Sequence, residues 1–192
     1  MGKIRSALEI AMEKTENIAI DENKIRQNQE DDRIRRTAGE YLAKEERDDS
    51  LLKTLEDHDS VALKRALKSL LLSSLSLPTY EVTDDRFSRL GAIMERVMGD
   101  NRSAMDLYGR ITDFLIQYPK HRKQLLDALK KQLEPMLEEK SEELSKKLGR
   151  EIHLSAEDDK ETLEIMEQNL ERLEKQYSEN LDQAKKSLEA FF

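Results

Sequence analysis

The sequence predicts an all-α protein: a small helical bundle with a long antiparallel, coiled-coil-like helical hairpin at its C-terminal end. Three observations lead there. Gly and Pro number 6 and 3 in 192 residues, too few turn formers for an all-β sandwich or barrel. Charged residues make up 39% against 37% apolar, with 5% aromatic and no Trp, so any core is aliphatic and thin. From Leu163 to Phe191, apolar positions recur at steps of 3, 4, 3, 4, 4, 3, 4 and 3. That spacing is a heptad seam with one stutter between Tyr177 and Leu181.

Residues 1–58 read as an N-terminal amphipathic and charged helical segment. Over about 3–18, Ile4, Leu8, Ala11 and Ile18 fall near one face, a stripe too narrow to fold without a partner. Residues 21–48 are mostly charged with both signs interspersed, which predicts a solvent-exposed helix, frayed toward its start. Ile25, Ile34, Ala38, Tyr41 and Leu42 are its burying positions. Arg33, Arg35 and Arg36 lie within a turn of Glu30, Asp31 and Asp32, so the three arginines belong to a solvated face rather than a basic patch.

Residues 59–118 hold the short-helix bundle core. Asp59 or Ser60 caps a helix bearing Val61, Leu63, Ala66, Leu67, Leu70, Leu71 and Leu75, and Leu77-Pro78 ends it. A loop with Tyr80 and Val82 follows, and Asp84 then caps a helix carrying Phe87, Leu90, Ile93, Met94, Val97 and Met98. Gly99-Asp100-Asn101 punctuates the chain. A third helix carries Met105, Leu107, Tyr108, Ile111, Phe114 and Leu115, and is expected to end at Tyr118-Pro119.

Residues 119–192 form the long hairpin. Pro119 suits a first helical position, and Gly149 after Lys146 and Lys147 suits a stop. Pro135 between them is expected to kink the helix. Ser155-Ala156-Glu157-Asp158 reads as the start of the last helix, an N-cap serine followed by acids at the positive end of the dipole. Each long segment would reach roughly 45–50 Å.

Chemistry is sparse. With no Cys there is no disulfide framework, no Cys-based metal site and no thiol nucleophile. Leu55, Tyr118 and Arg150 precede His58, His121 and His153 by three residues, so the Glu-x-x-His pairs of a di-metal bundle are missing. Asp57-His58-Asp59 reads as capping rather than ligation, since consecutive residues do not share a helix face. Ser50-Leu51-Leu52-Lys53 matches Ser-x-x-Lys without the companion motifs of that enzyme class. Glu138, Glu139, Glu142 and Glu143 lie among lysines and read as solvated. The expectation is a protein that is not an enzyme and carries no cofactor.

Lys120-His121-Arg122-Lys123 is the sharpest basic cluster, with Tyr118 beside it to stack on a base. Positive charge at the expected helix start is electrostatically unfavourable. The net charge of −8 disfavours phosphate polymers, and an ion pair with a neighbouring acidic helix is the preferred account. No apolar run is long enough to span a membrane, and Glu9 and Glu13 interrupt any signal-peptide core. A cytoplasmic protein is the expectation. Phe191 and Phe192 either fold back on the bundle or dock into a partner, since each gains about 1.5–3 kcal/mol on burial.

The opening Ser6-Ala7-Leu8-Glu9-Ile10-Ala11-Met12-Glu13-Lys14-Thr15, with Arg36-Thr37-Ala38-Gly39-Glu40-Tyr41-Leu42, resembles an uncharacterised family of small, helical, cytoplasmic bacterial proteins. The resemblance implies a bacterial cytosolic protein and no site residues.

These readings converge on a non-enzymatic scaffold, adaptor or assembly factor that binds a protein partner or a second copy. The candidate interface is the seam of Leu163, Met166, Leu170, Leu173, Tyr177, Leu181, Leu188 and Phe191, with Phe192 beside it. An accessory nucleic-acid- or ribosome-associated protein using residues 118–123 is the alternative. An export- or motility-apparatus stalk or chaperone is a further reading, by analogy with other helical hairpins.

Overall fold

The computed structural model describes residues 22–44, 46–79 and 84–192. Those residues form six helices and no strand, so the protein is all-α. In chain order they are α1 (Glu22–Ala43), α2 (Asp49–Glu56), α3 (Ser60–Ser74), α4 (Asp84–Met98), α5 (Arg102–Leu148) and α6 (Lys160–Glu189). The amphipathic helix expected at 3–18 lies outside the described residues, as do Tyr80 and Val82.

α1 is less of a solvated rod than its charge suggests. Ile34, Ala38 and Tyr41, at steps of four and three, are completely buried against the bundle, while Ile25 stays 45% exposed. Asp31 turns inward as well, and Arg65 of α3 grips it with Nε and Nη2 at 2.7–3.0 Å. A buried carboxylate needs such a partner, because an unpaired charge away from water is prohibitively costly. Asp31 therefore does not serve to cancel the neighbouring arginines, and Arg33 and Arg36 face solvent.

Local chemistry sets most of the helix ends. Asp48 caps α2 by accepting from the Ser50 N–H, and the Lys44 ammonium beside it lowers the carboxyl pKa to about 2. Asp59 caps α3 by accepting from the Ala62 N–H at 2.8 Å, and Asn101 caps α5 through the Ala104 N–H at 3.1 Å. α3 stops at Ser74, short of the expected Leu77-Pro78. Ser73 and Ser74 both donate back to the Leu70 carbonyl, at 3.0 and 2.8 Å, the local competition by which serine weakens a helix end. Gly99 and Gly149 take positive φ, 56° and 66°, where a Cβ would be strained.

α1 to α4, the first part of α5 and the last turns of α6 enclose one core, centred on Leu67, Leu71, Ile93, Met94, Leu115 and Leu188. Tyr108 of α5 donates to the Phe87 carbonyl of α4 at 2.7 Å, and its burial pushes the phenol pKa up. Gly91 makes this contact possible, since a Cβ there would lie 3.2 Å from the Tyr108 ring.

The expected helix end at Tyr118-Pro119 does not occur. α5 runs unbroken for 47 residues with Pro119 and Pro135 inside it. An interior proline costs a helix about 3 kcal/mol, and the residue before it is pushed away from helical angles. Tertiary packing overrides both at Pro119, because Tyr118 is buried against α6. Pro135, by contrast, is exposed, so burial of its ring does little to offset the missing hydrogen bond.

Two stability measurements check this account. Pro135→Ala is expected to raise the unfolding free energy by up to about 3 kcal/mol. Tyr108→Phe is expected to lower it by about 1 kcal/mol. Denaturant melts followed by circular dichroism read both.

Candidate interaction surface

Beyond the bundle, α5 from Pro119 onward, the segment 150–157 and α6 up to Gln176 make an arm. α6 returns antiparallel to α5, with Tyr177 beside Phe114 and Tyr118 at the base and Asp159 beside Lys140 near the tip. At the base the Tyr177 ring stacks on Phe114 at 4.5 Å and lies 5.0 Å from Tyr118. His121 Nδ1 and the Tyr177 hydroxyl share a hydrogen bond. Burial raises the pKa of both tyrosines. Glu174 adds to the shift at Tyr118 while Arg122 opposes it, and Tyr118 adds to the shift at Tyr177.

The middle of the arm has a core of its own: Leu129, Leu133 and Leu137 of α5 with Ala156 and Met166. Two helices and one strap cannot enclose it. Leu125, Leu126, Met136, Leu154 and Ile165 pack against it and remain partly exposed, as do Leu163, Leu170 and Leu173 on the seam.

The tip is closed by polar contacts. After Gly149 the chain runs extended, and two serines of α5 satisfy its backbone: Ser145 Oγ accepts from the Ile152 N–H at 2.8 Å, and Ser141 Oγ from the Leu154 N–H at 2.9 Å. Ser155 was expected to cap the last helix. Instead Ser155 donates to the Asp158 carboxylate from both N–H and Oγ, closing one isolated turn. α6 begins five residues later, capped by Asp159, which accepts from the N–H and hydroxyl of Thr162. Lys140 fixes the choice by reaching Asp159 at 2.9 Å and Glu161 at 2.8 Å. The Lys140 ammonium and then Thr162 hold the Asp159 carboxyl below its ordinary value, and Ser155 does the same for Asp158. An open groove of about 1100 Å³ lies between α5 and this strap, lined by Leu137, Ser141, Ile152, His153 and several charged side chains.

The residues singled out from the sequence divide sharply. Met166, Tyr177, Leu181 and Leu188 are buried within the chain itself, so the seam is filled by α5 and the bundle rather than offered whole to a partner. Phe191 and Phe192 pack on the bundle core, and Lys64 donates to the Phe191 carbonyl at 2.7 Å. Tyr118 is buried in the aromatic cluster and unavailable for base stacking. Lys120, Arg122 and Lys123 are exposed, and the expected ion pair with an acidic helix is absent for all three among the described residues. Asp57 caps the end of α2, Asp59 the start of α3, and His58 meets Glu30 at 3.3 Å. Among the described residues no cluster of His, Asp and Glu could hold a metal ion, and no helix is long and apolar enough to cross a membrane.

A family model described as a family of unknown function (DUF6657) matches residues 49–190. The chain belongs to that family. The DUF6657 match takes in α2 to α6, the arm included. It leaves out residues 6–15 and 36–42, on which the resemblance to an uncharacterised bacterial family was based. No curated protein and no solved structure matches the chain.

The capping carboxylates give the arm a pH dependence of definite sign. A carboxyl whose folded pKa is depressed stabilises the fold above its unfolded value, and that contribution is lost as pH falls through the folded pKa. For Asp158 and Asp159 the ordinary value is 3.8. The amides of Ile152, Leu154 and Thr162 are therefore expected to lose hydrogen-exchange protection as pH falls below about 4. In Asp159→Asn they should be less protected already at neutral pH, with a smaller change on acidification.

Proposed function

We propose that the chain is a non-enzymatic helical interaction protein, a scaffold, adaptor or assembly factor, that binds through a coiled-coil-like arm. The observation that carries this reading is the incomplete cover of the arm core. Leu125, Leu126, Met136 and Ile165 are packed on one side and open on the other. A third or fourth helix laid along the arm would cover them, each methylene gaining about 0.8 kcal/mol. The carboxyl groups with displaced pKa values support the same reading, because Asp48, Asp158 and Asp159 all act as caps or turn anchors. A chain with no Cys suits a reducing compartment, and we place the protein in the cytoplasm.

A second reading rests on Lys120, Arg122 and Lys123, which are exposed at the arm base and would attract the phosphates of a nucleic acid. The burial of Tyr118 and the net charge of −8 weigh against it.

Affinity capture from the native cell, with the intact chain and with Leu125→Gln/Met136→Gln, tests the main reading. The intact chain is expected to retain a defined protein that the double variant loses, with helicity unchanged by circular dichroism. An equally helical variant that retains the same proteins would remove the arm from the interaction. Salt-titrated oligonucleotide binding, lost in Arg122→Glu, would favour the second reading.

A further inference from the structure

We infer that the partner of the arm is a second copy of this chain, laid antiparallel along it so that the basic base of each arm faces the acidic far half of the other. The inference rests on the proposed reading of the arm as an interaction surface and adds its partner and direction.

Charge is segregated along the outer length of α5. Residues 120–131 carry five bases and one acid, and residues 134–143 carry five acids and one base. Lys130 is paired within the chain, with Glu157 at 3.3 Å, as is Lys140 with Asp159 and Glu161. Lys120, Arg122, Lys123 and Lys131 have no ion pair among the described residues, and the same holds for Glu134, Glu138 and Glu139. Glu142 and Glu143 meet Lys146 and Lys147 one turn on, at 3.4 and 3.7 Å. Such solvent-exposed pairs contribute little and yield readily to a better partner.

The two halves cannot serve each other. Their midpoints lie about thirteen residues apart on one rigid helix, or about 20 Å, well beyond the Debye length of about 8 Å at physiological ionic strength. A basic partner would satisfy one half and repel the other, and an acidic partner the reverse. Both halves are met by a chain with the same segregation read backwards, which a second copy supplies by two-fold symmetry.

The register follows from the numbering. Setting Lys131 against Glu134 of the second copy brings Lys123 against Glu142, and these four exposed residues share one side of α5. The two-fold repeats each pair. Asp127 against Glu138 is a like-charge opposition in this alignment. The resulting cross-section is four antiparallel helices, in the manner of an up-and-down bundle.

Sedimentation and light scattering on the full chain test this directly. The wild type is expected to be a dimer at about 0.05 M salt and to shift toward monomer by about 0.5 M. Arg122→Glu/Lys123→Glu and Glu142→Lys/Glu143→Lys should each weaken self-association roughly tenfold or more. Mixed in equal amounts, the two variants should form a one-to-one dimer, because each now offers what the other lacks. Equal circular dichroism spectra exclude unfolding as the cause.

A monomeric wild type at high micromolar concentration overturns the inference, as does a dimer that neither variant disturbs or two variants that fail to associate with each other. A monomer that still captures a different protein through the arm would sink the second copy while leaving the interaction reading intact. A monomer that binds single-stranded RNA, with binding lost in Arg122→Glu/Lys123→Glu, would assign the basic half to nucleic acid instead.

Discussion

The structure depends on α5 continuing through Pro119. That residue marks the boundary between a helix packed inside a bundle and the same helix packed against one neighbour and a strap. Loss of the Leu115 carbonyl's helical partner and the crowding of Tyr118 both favour a break there. Phe114, Tyr118 and Tyr177 hold the helix together instead, with rings 4.5–5.0 Å apart. Aromatic pairs contribute about 0.5–1.5 kcal/mol each beyond the area they bury, so two contacts together are comparable with the cost of the proline. Because the break is suppressed, the direction of the arm is set by the bundle rather than by a loop.

The two cores differ in kind. In the bundle, helices surround Leu67, Leu71 and Ile93 on all sides, and cover is complete. In the arm no core residue falls to zero exposure, and its leucines are each slightly open. Closure at the tip therefore relies on directional polar contacts, with serine hydroxyls standing where a neighbouring strand would be and Lys140 clamping the cap of α6. An element held in this way keeps its shape while leaving a long side uncovered, the combination that an interaction surface requires.

What was legible in the sequence was whatever short-range chemistry decides. Asp59, Gly99, Asn101 and Gly149 end or begin helices through bonds within a few residues of themselves, and their identities give them away. The inward positions of α4 were legible from spacing, because burial follows helical period, and of the positions expected to be buried on α1, Ile34, Ala38 and Tyr41 are, while Ile25 is exposed. Pro119 was misleading, since the forces that override it come from residue 177, far along the chain. Ser155 was misleading for a related reason. Both Ser155 and Asp159 offer a capping oxygen, and the choice falls to Asp159 because Lys140 reaches across from α5. Asp31 belongs to the same class, its partner Arg65 lying on another helix. α2 was hidden by length, eight residues bearing Leu52 and Leu55 within a charged run.

The seam illustrates that an apolar pattern names no particular neighbour. A heptad repeat states that a helix has an apolar partner along its length without stating whose helix that is. Met166, Tyr177, Leu181 and Leu188 find theirs within the chain. On the proposed reading, the surface offered to another molecule is the flank of α5 that carries the part-covered Leu125, Leu126 and Met136, rather than the strongest apolar signal. Apolar cover there supplies attraction without direction, because a leucine does not distinguish one helix from another. The order of charges along α5 does distinguish them, since bases precede acids and reversing the neighbour exchanges attraction for repulsion. On the proposed reading, the order of charges along α5 would set the orientation of a neighbouring chain, and the part of the core that two helices cannot close would set its affinity.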